Sequence, residues 1–186
     1  MSRIPELAAR LTERRAVPVS QPDRPRAAVA VILTPDPDSV LLIRRADREG
    51  DRWSGQLAFP GGRWSPGDAD LLETARRETR EEVGVELDPG TLIGTLDDLA
   101  PRTSVLPPIL VRPFVFAHRS RQTLELSPEV ALAWWLPLET LLTPGVFGPV
   151  EFVRYGTLVR TMGYRLDAGI LWGMSERILT PLVRLL

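Results

Sequence analysis

The chain contains no cysteine, so disulfides, zinc–thiolate sites and thiol nucleophiles are excluded. Its single histidine, His118, cannot make a His-rich metal site and argues against a Ser-His triad. Lysine and asparagine are also missing. Every basic side chain is therefore arginine, whose planar guanidinium is the better match for phosphate oxygens. No apolar run is as long as a membrane span. The opening "MSRIPELAARLTERRA" carries acidic residues and no apolar h-region, so it does not read as a signal peptide. A formal net charge of -1 gives no global field to attract nucleic acid or an anionic membrane. No basic stripe interleaved with aromatics marks a nucleic-acid face. The expectation is a soluble, cytoplasmic protein with neither nucleic acid nor membrane as a partner.

What remains is the composition of a globular domain, 44% hydrophobic and 25% charged over 186 residues, enough for one domain with a real core. Ile4, Leu7, Ala8 and Leu11 recur at helical spacing, and the Pro-rich stretch Val17–Arg26 follows as an arm. Ala27–Thr34 reads as a buried strand, a PDPD turn follows, and Ser39–Ala46 returns as its partner. Asp47–Gly55 is a loop, and "QLAF" is a brief strand leading into a Gly61-Gly62 turn. Asp68 or Asp70 caps a helix that runs to about Val83, where Gly84 ends it. Leu72, Ala75, Thr79 and Val83 form its core stripe. Further on, "TLIGTLDDLA" and "PILVRPFVFAH" read as strands with the loop Pro101–Pro108 between them. "ALAWWLPLETLL" is a strand running into a short helix, "EFVRYGTLVRTMGYRL" a hairpin, and Ile170–Leu186 an amphipathic closing helix. Helices and strands follow one another without βαβ alternation, so the expected class is α+β in one domain.

The chemistry concentrates in "RETREEVGV", Arg77–Val85. Glu78, Glu81 and Glu82 share one helical turn, although like charges at i,i+4 repel by about 0.2–0.5 kcal/mol in water. Glu78 and Glu82 border the core stripe and can point into a cleft, while Glu81 lies further out. Such an oxygen-rich turn suits a hard divalent ion, which takes carboxylates and keeps several waters. A carbonyl from the nearby glycines can add a ligand, because glycine lets backbone come close. An ion held this way suits phosphoryl chemistry.

Gly62, Arg77, Glu78, Glu81, Glu82 and Gly84 together resemble the Nudix box, G-x5-E-x7-R-E-U-x-E-E-x-G-U, where U is a bulky aliphatic residue. Thr79 replaces one aliphatic. Asp68 stands where the first Glu is usual, with one residue too many before Arg77, which argues against a role for Asp68. The resemblance implies a Nudix-type mixed β-sheet sandwiched between helices. It implies a Nudix domain over residues 27–186, preceded by a helix and arm over residues 1–26. It also implies a diphosphohydrolase that acts on a small-molecule nucleotide with Mg2+ or Mn2+. Carried over, Glu78 and Glu82 would ligate the metal, with the Gly61 carbonyl completing the coordination. Glu81 would bind a second ion or position water, and Arg77 would orient a glutamate. A further acid often comes from a later loop, and of Glu125 and Glu129 the candidate is Glu129.

"LLIRRA" followed by Gly55-x3-Phe59-Pro-Gly-Gly is similar to the extra motif of the coenzyme A diphosphatases of this family. Ile43 stands where threonine is usual, and the middle arginine is out of register. Coenzyme A carries a 3′-phosphate besides its diphosphate, so its site needs more than one arginine, and Arg45, Arg48 and Arg52 could supply them next to Phe59. The product pair would be 3′,5′-ADP and 4′-phosphopantetheine. The alternatives are an ADP-ribose or nucleoside diphosphate sugar hydrolase, for which Pro101 is suitably placed, and a non-catalytic nucleotide-binding domain. Trp53 and Trp64 flank the glycines and would stack on adenine or anchor their loops. Of Trp134 and Trp135, one should face the core and one solvent. His118 is expected at the surface. The last helix has more apolar residues than one face needs, which leaves a homodimer contact open.

Overall fold

The computed structural model describes residues 2–19, 24–101 and 108–186. The arm expected over Val17–Arg26 and the loop expected over Pro101–Pro108 lie partly outside these residues. The first helix, α1, spans Ile4–Glu13 and buries Ile4, Leu7 and Leu11, as its periodicity requires. Strands β1 (Arg26–Thr34) and β2 (Ser39–Arg45) follow, then the short β3 (Leu57–Ala58) and β4 (Gly61–Arg63). Helix α2 spans Leu71–Val83. Asp70 caps its start by accepting the Glu73 N–H at 2.8 Å. Gly84 ends it in the left-handed conformation, φ 71°. Thereafter come β5 (Leu92–Thr95), β6 (Leu110–Ala117), β7 (Val130–Pro137) and α3 (Leu138–Leu142). The chain closes with β8 (Phe147–Arg154), β9 (Thr157–Leu166), β10 (Gly169–Trp172) and α4 (Met174–Val183).

The larger sheet is mixed: β1 and β6 run parallel, and the other pairs are antiparallel. Both faces are covered. Ala28, Ala30 and Ile32 of β1 and Leu41 and Ile43 of β2 pack on one side with Leu71, Ala75 and Val83 of α2. Val31, Leu33, Val40 and Leu42 point to the other side, where α1, α3 and α4 supply Leu7, Leu138 and Leu179. This is the α+β sandwich that the sequence implied. The double covering corrects the reading of the tryptophan pair. Trp134 and Trp135 still alternate, but each is half-buried, in a different core. A second, three-stranded sheet, ordered β10-β9-β8, hangs beside the first.

Three further expectations need correction. Leu171 and Trp172 belong to β10 rather than to the last helix, whose residues Ile178, Leu179 and Leu182 are taken up by the core. Leu71, rather than Leu72, is the buried residue at the start of α2, although Leu72 still packs on the core edge. His118 is buried at 9% exposure, its Nδ1 2.7 Å from the Gln122 amide nitrogen and its Nε2 without a partner among the described residues. Burial pushes its pKa down. No helix among the described residues is long and apolar enough to cross a membrane.

Candidate active site

The site grows from a split in the larger sheet. β1 and β2 pair only beside their turn, at Leu33–Val40 and Thr34–Ser39. Beyond that they diverge, because β6 occupies the far side of β1 and β7 the far side of β2. The gap is filled by β3, paired with β2, and by β4, paired with β1. The expected Gly61-Gly62 turn is therefore a strand. Its glycines serve close approach: a Cβ on Gly61 would strike the Ala28 carbonyl, and one on Gly62 would strike the Glu78 carboxylate. The Gly61 N–H donates to Glu82 Oε2 at 2.9 Å. Helix α2 thus lays two glutamates directly on β4.

The repulsion among these acids is answered residue by residue. Arg77 lies 2.9 Å from Glu78 Oε1 and 3.0 Å from Glu81 Oε2. Its position is set by Asp68, which it grips through Nε at 2.7 Å and Nη2 at 3.1 Å. Asp68 is buried and also accepts from the Ser65 N–H and the Thr74 hydroxyl. The Arg77 guanidinium holds the Asp68 carboxyl well below the usual carboxylate range, against the opposing effect of burial. Asp68 therefore has a part the sequence argued against: the extra residue in the loop still delivers its carboxylate to Arg77. Thr79 is also reconciled, since its buried hydroxyl donates to the Ala75 carbonyl at 2.7 Å.

Glu82 is 4% exposed, and its nearest cation, Arg45, stands 3.8 Å away. Burial pushes its pKa up to about 7, against the Gly61 N–H and Arg45, with Glu78 and Glu129 adding to the rise. Burial also raises Glu78, in spite of Arg77. Two carboxylates one turn apart, both disfavoured as anions, mark a place where positive charge is missing.

Both glutamates line a cavity of about 1000 Å³. Its charged lining adds Arg45, Arg63 and Glu129, and its apolar lining includes Val111, Val159, Trp172, Met174 and Ile178. Phe59, Gly61, Arg52 and Trp53 are also at its wall. Arg48 and Glu81 are not among the lining residues. Arg48 pairs with Glu129 at 3.0 Å, and Glu81, half exposed, stays with Arg77. Arg45 is held by Asp51 at 3.0 Å, and its buried Nε has no acceptor among the described residues. Trp64 lies outside the cavity. Its indole N–H donates to the Asp68 carbonyl and Arg26 stacks over its ring, so it anchors the loop. Arg154, Tyr155 and Thr157 of the β8–β9 hairpin complete the wall. Sequence reasoning missed them; their only signal was a Tyr-Gly turn.

Among the described residues, no three His, Asp or Glu side chains are gathered tightly enough to enclose an ion. The donor set still fits a six-coordinate divalent ion such as Mg2+, which takes one or two carboxylates and completes its shell with water and substrate phosphate. Glu78 and Glu82 offer such an open pair.

The NUDIX domain family model matches residues 24–155, well over half of the chain. The Nudix hydrolase NudL of Yersinia enterocolitica is 30% identical over 164 residues, covering 85% of this chain and 80% of that one. An uncharacterized Schizosaccharomyces pombe protein is 42% identical over 110 residues. That match covers 56% of this chain, which spans only 33% of the relative's length. Among solved structures, a MutT/nudix family protein from Enterococcus faecalis superposes with a TM-score of 0.60 at 17% identity, covering 95% of this chain and 66% of its own. The NUDIX domain of Shewanella oneidensis NrtR, solved with ADP ribose, superposes with a TM-score of 0.53 at 22% identity, covering 64% and 76%.

Proposed function

Since the chain belongs to the Nudix family and is a diphosphohydrolase of nucleoside diphosphate derivatives, we propose that its substrate is coenzyme A or a coenzyme A thioester. Hydrolysis would give 3′,5′-ADP and 4′-phosphopantetheine. The observation that carries this reading is the mixed lining of the large cavity: carboxylates and arginines together with a broad set of apolar side chains. Coenzyme A has the matching chemistry, a charged phosphoadenosine diphosphate continued by a long uncharged arm. Arg45 supports it further, since its guanidinium lines the cavity and can offer a charged donor to a phosphate oxygen.

In this reading Glu78 and Glu82 hold a divalent cation, Mg2+ or Mn2+. When bound, the cation draws charge from the diphosphate oxygens and makes water a better nucleophile. Each protein group then has a definite task. Glu82, whose protonated form burial favours, would hold the cation as its carboxylate. The Gly61 N–H fixes the orientation of its carboxylate. Arg77, itself held by Asp68, steadies Glu78 and Glu81 and spreads their charge. Glu129 sits at the cavity wall as the carboxylate able to act as general base and take the proton of the attacking water, with Arg48 restraining it.

The test is a hydrolysis panel of coenzyme A, an acyl-coenzyme A, ADP-ribose and a nucleoside diphosphate sugar with Mg2+ or Mn2+, with products identified by mass. The reading predicts the highest kcat/KM for a coenzyme A compound, with 3′,5′-ADP among the products. A higher kcat/KM for ADP-ribose would replace it with the ADP-ribose alternative.

A further inference from the structure

The β8–β9 hairpin turns through Tyr155 and Gly156, whose φ values of 49° and 73° are both positive. Two positive φ values make the tight turn that matches strand twist, but the first position favours asparagine or glycine. A tyrosine there is strained. Packing does not account for it, because Tyr155 is 71% exposed. What holds it is a contact with another part of the chain. The Tyr155 hydroxyl donates to the Asp51 carbonyl at 3.1 Å, about a hundred residues earlier. The neighbouring Arg154 lies with Nη2 3.0 Å from both the Arg52 and the Ser54 carbonyls. Its guanidinium sits 4.7 Å from the Tyr155 ring centre and 5.8 Å from that of Trp172.

Two side chains at the tip of the second sheet thus grasp three carbonyls, those of Asp51, Arg52 and Ser54, in the loop that follows β2. That loop supplies Asp51, which holds Arg45, and Arg52 and Trp53, which line the cavity. The hairpin tip lines the same cavity. We propose that Arg154 and Tyr155 are positioning residues that latch the hairpin to this loop and so hold the substrate-facing side chains at binding distance. The proposal rests on the hydrolase reading of the cavity. The latch is made of exposed or part-buried hydrogen bonds to backbone, which open locally without global unfolding. It can therefore release for substrate to enter and close again once substrate lies between its two sides.

The experiment compares the full-length wild type with Arg154→Met, Arg154→Lys and Tyr155→Phe. Three readouts are used: amide hydrogen exchange without substrate or cation, ADP affinity by calorimetry, and steady-state kinetics on the preferred substrate. Expected for Arg154→Met and Tyr155→Phe is faster exchange in residues 51–56 together with residues 153–158. ADP should bind about tenfold more weakly and KM should rise similarly, with kcat within about twofold of wild type and the thermal midpoint unchanged. Arg154→Lys, which keeps a donor for the carbonyls, should recover most of the loss. Unchanged exchange in either segment would overturn the latch. Faster exchange with unaltered ADP affinity and KM would overturn the positioning role, as would losses that merely follow a fall in thermal midpoint. If the wild type hydrolyses no diphosphate compound, the hydrolase reading fails, while exchange and ADP binding still decide the latch.

Discussion

Replacing Glu82 with glutamine should make the metal-free protein more stable in alkali, contrary to the usual effect of altering a buried functional residue. Glu82 is 4% exposed, and burial moves its carboxyl from 4.5 to about 7. At 1.36 kcal/mol per pH unit this corresponds to about 3 kcal/mol between its protonated and ionised forms. A raised native pKa gives stability that is complete below the unfolded value of 4.5 and is lost as pH rises through about 7. With Glu82→Gln this loss disappears, since the amide is neutral at every pH and can still accept the Gly61 N–H. Urea unfolding in excess chelator should then give similar stabilities at about pH 5. At about pH 9 the variant should lead by about 2–3 kcal/mol. Saturating Mg2+ or Mn2+ should reverse the order by stabilising the wild type alone, more at high pH than at low, while hydrolysis in the variant falls by about 10²-fold or more. A variant no more stable than wild type at alkaline pH would refute the electrostatic account of this carboxylate. Undiminished hydrolysis would refute the metal role.

Asp68→Asn should destabilise by about 2–3 kcal/mol, less than for a fully buried pair because Arg77 keeps Glu78 and Glu81 as partners. Because the Asp68 pKa is depressed, its contribution is complete above the ordinary value of 3.8 and lost only as pH falls below it. Unfolding curves of wild type and variant should therefore differ equally from about pH 5 to pH 8 and converge only in stronger acid. Gly62→Ala should lower kcat/KM by at least about tenfold, because its methyl group would occupy the place of the Glu78 carboxylate; steady-state assay and thermal unfolding read the two effects separately. The depressed pKa of His118 predicts that wild type loses stability as pH falls through 6.5, where the unfolded chain takes up a proton first. His118→Phe should flatten this difference in paired unfolding measurements.

Apart from β4 and β10, the main elements were readable along the chain, because each depends on a few neighbouring residues. Helix α2 followed from Asp70, a 3-4 apolar spacing and Gly84, and it ends where those signals say. The three glutamates and the glycine pair were likewise legible as a motif, and family membership follows from residues that lie close together in sequence. Tertiary structure decided what those residues touch. Gly61 and Gly62 are a strand because two diverging strands leave a gap for them, and no local signal encodes that divergence. Glu82 is driven upward in pKa because β4 and α2 bury it together, whereas Glu81, one residue away, remains in solvent. His118, read as a surface residue, is buried by neighbours from distant segments. The hairpin at Arg154 and Tyr155 reaches the loop after β2 across about a hundred residues. Most of the secondary structure is written in short-range periodicity and capping, so sequence alone discloses that part of it. Burial, and with it charge, proton affinity and the shape of a cavity, is set by segments that meet only when the chain folds.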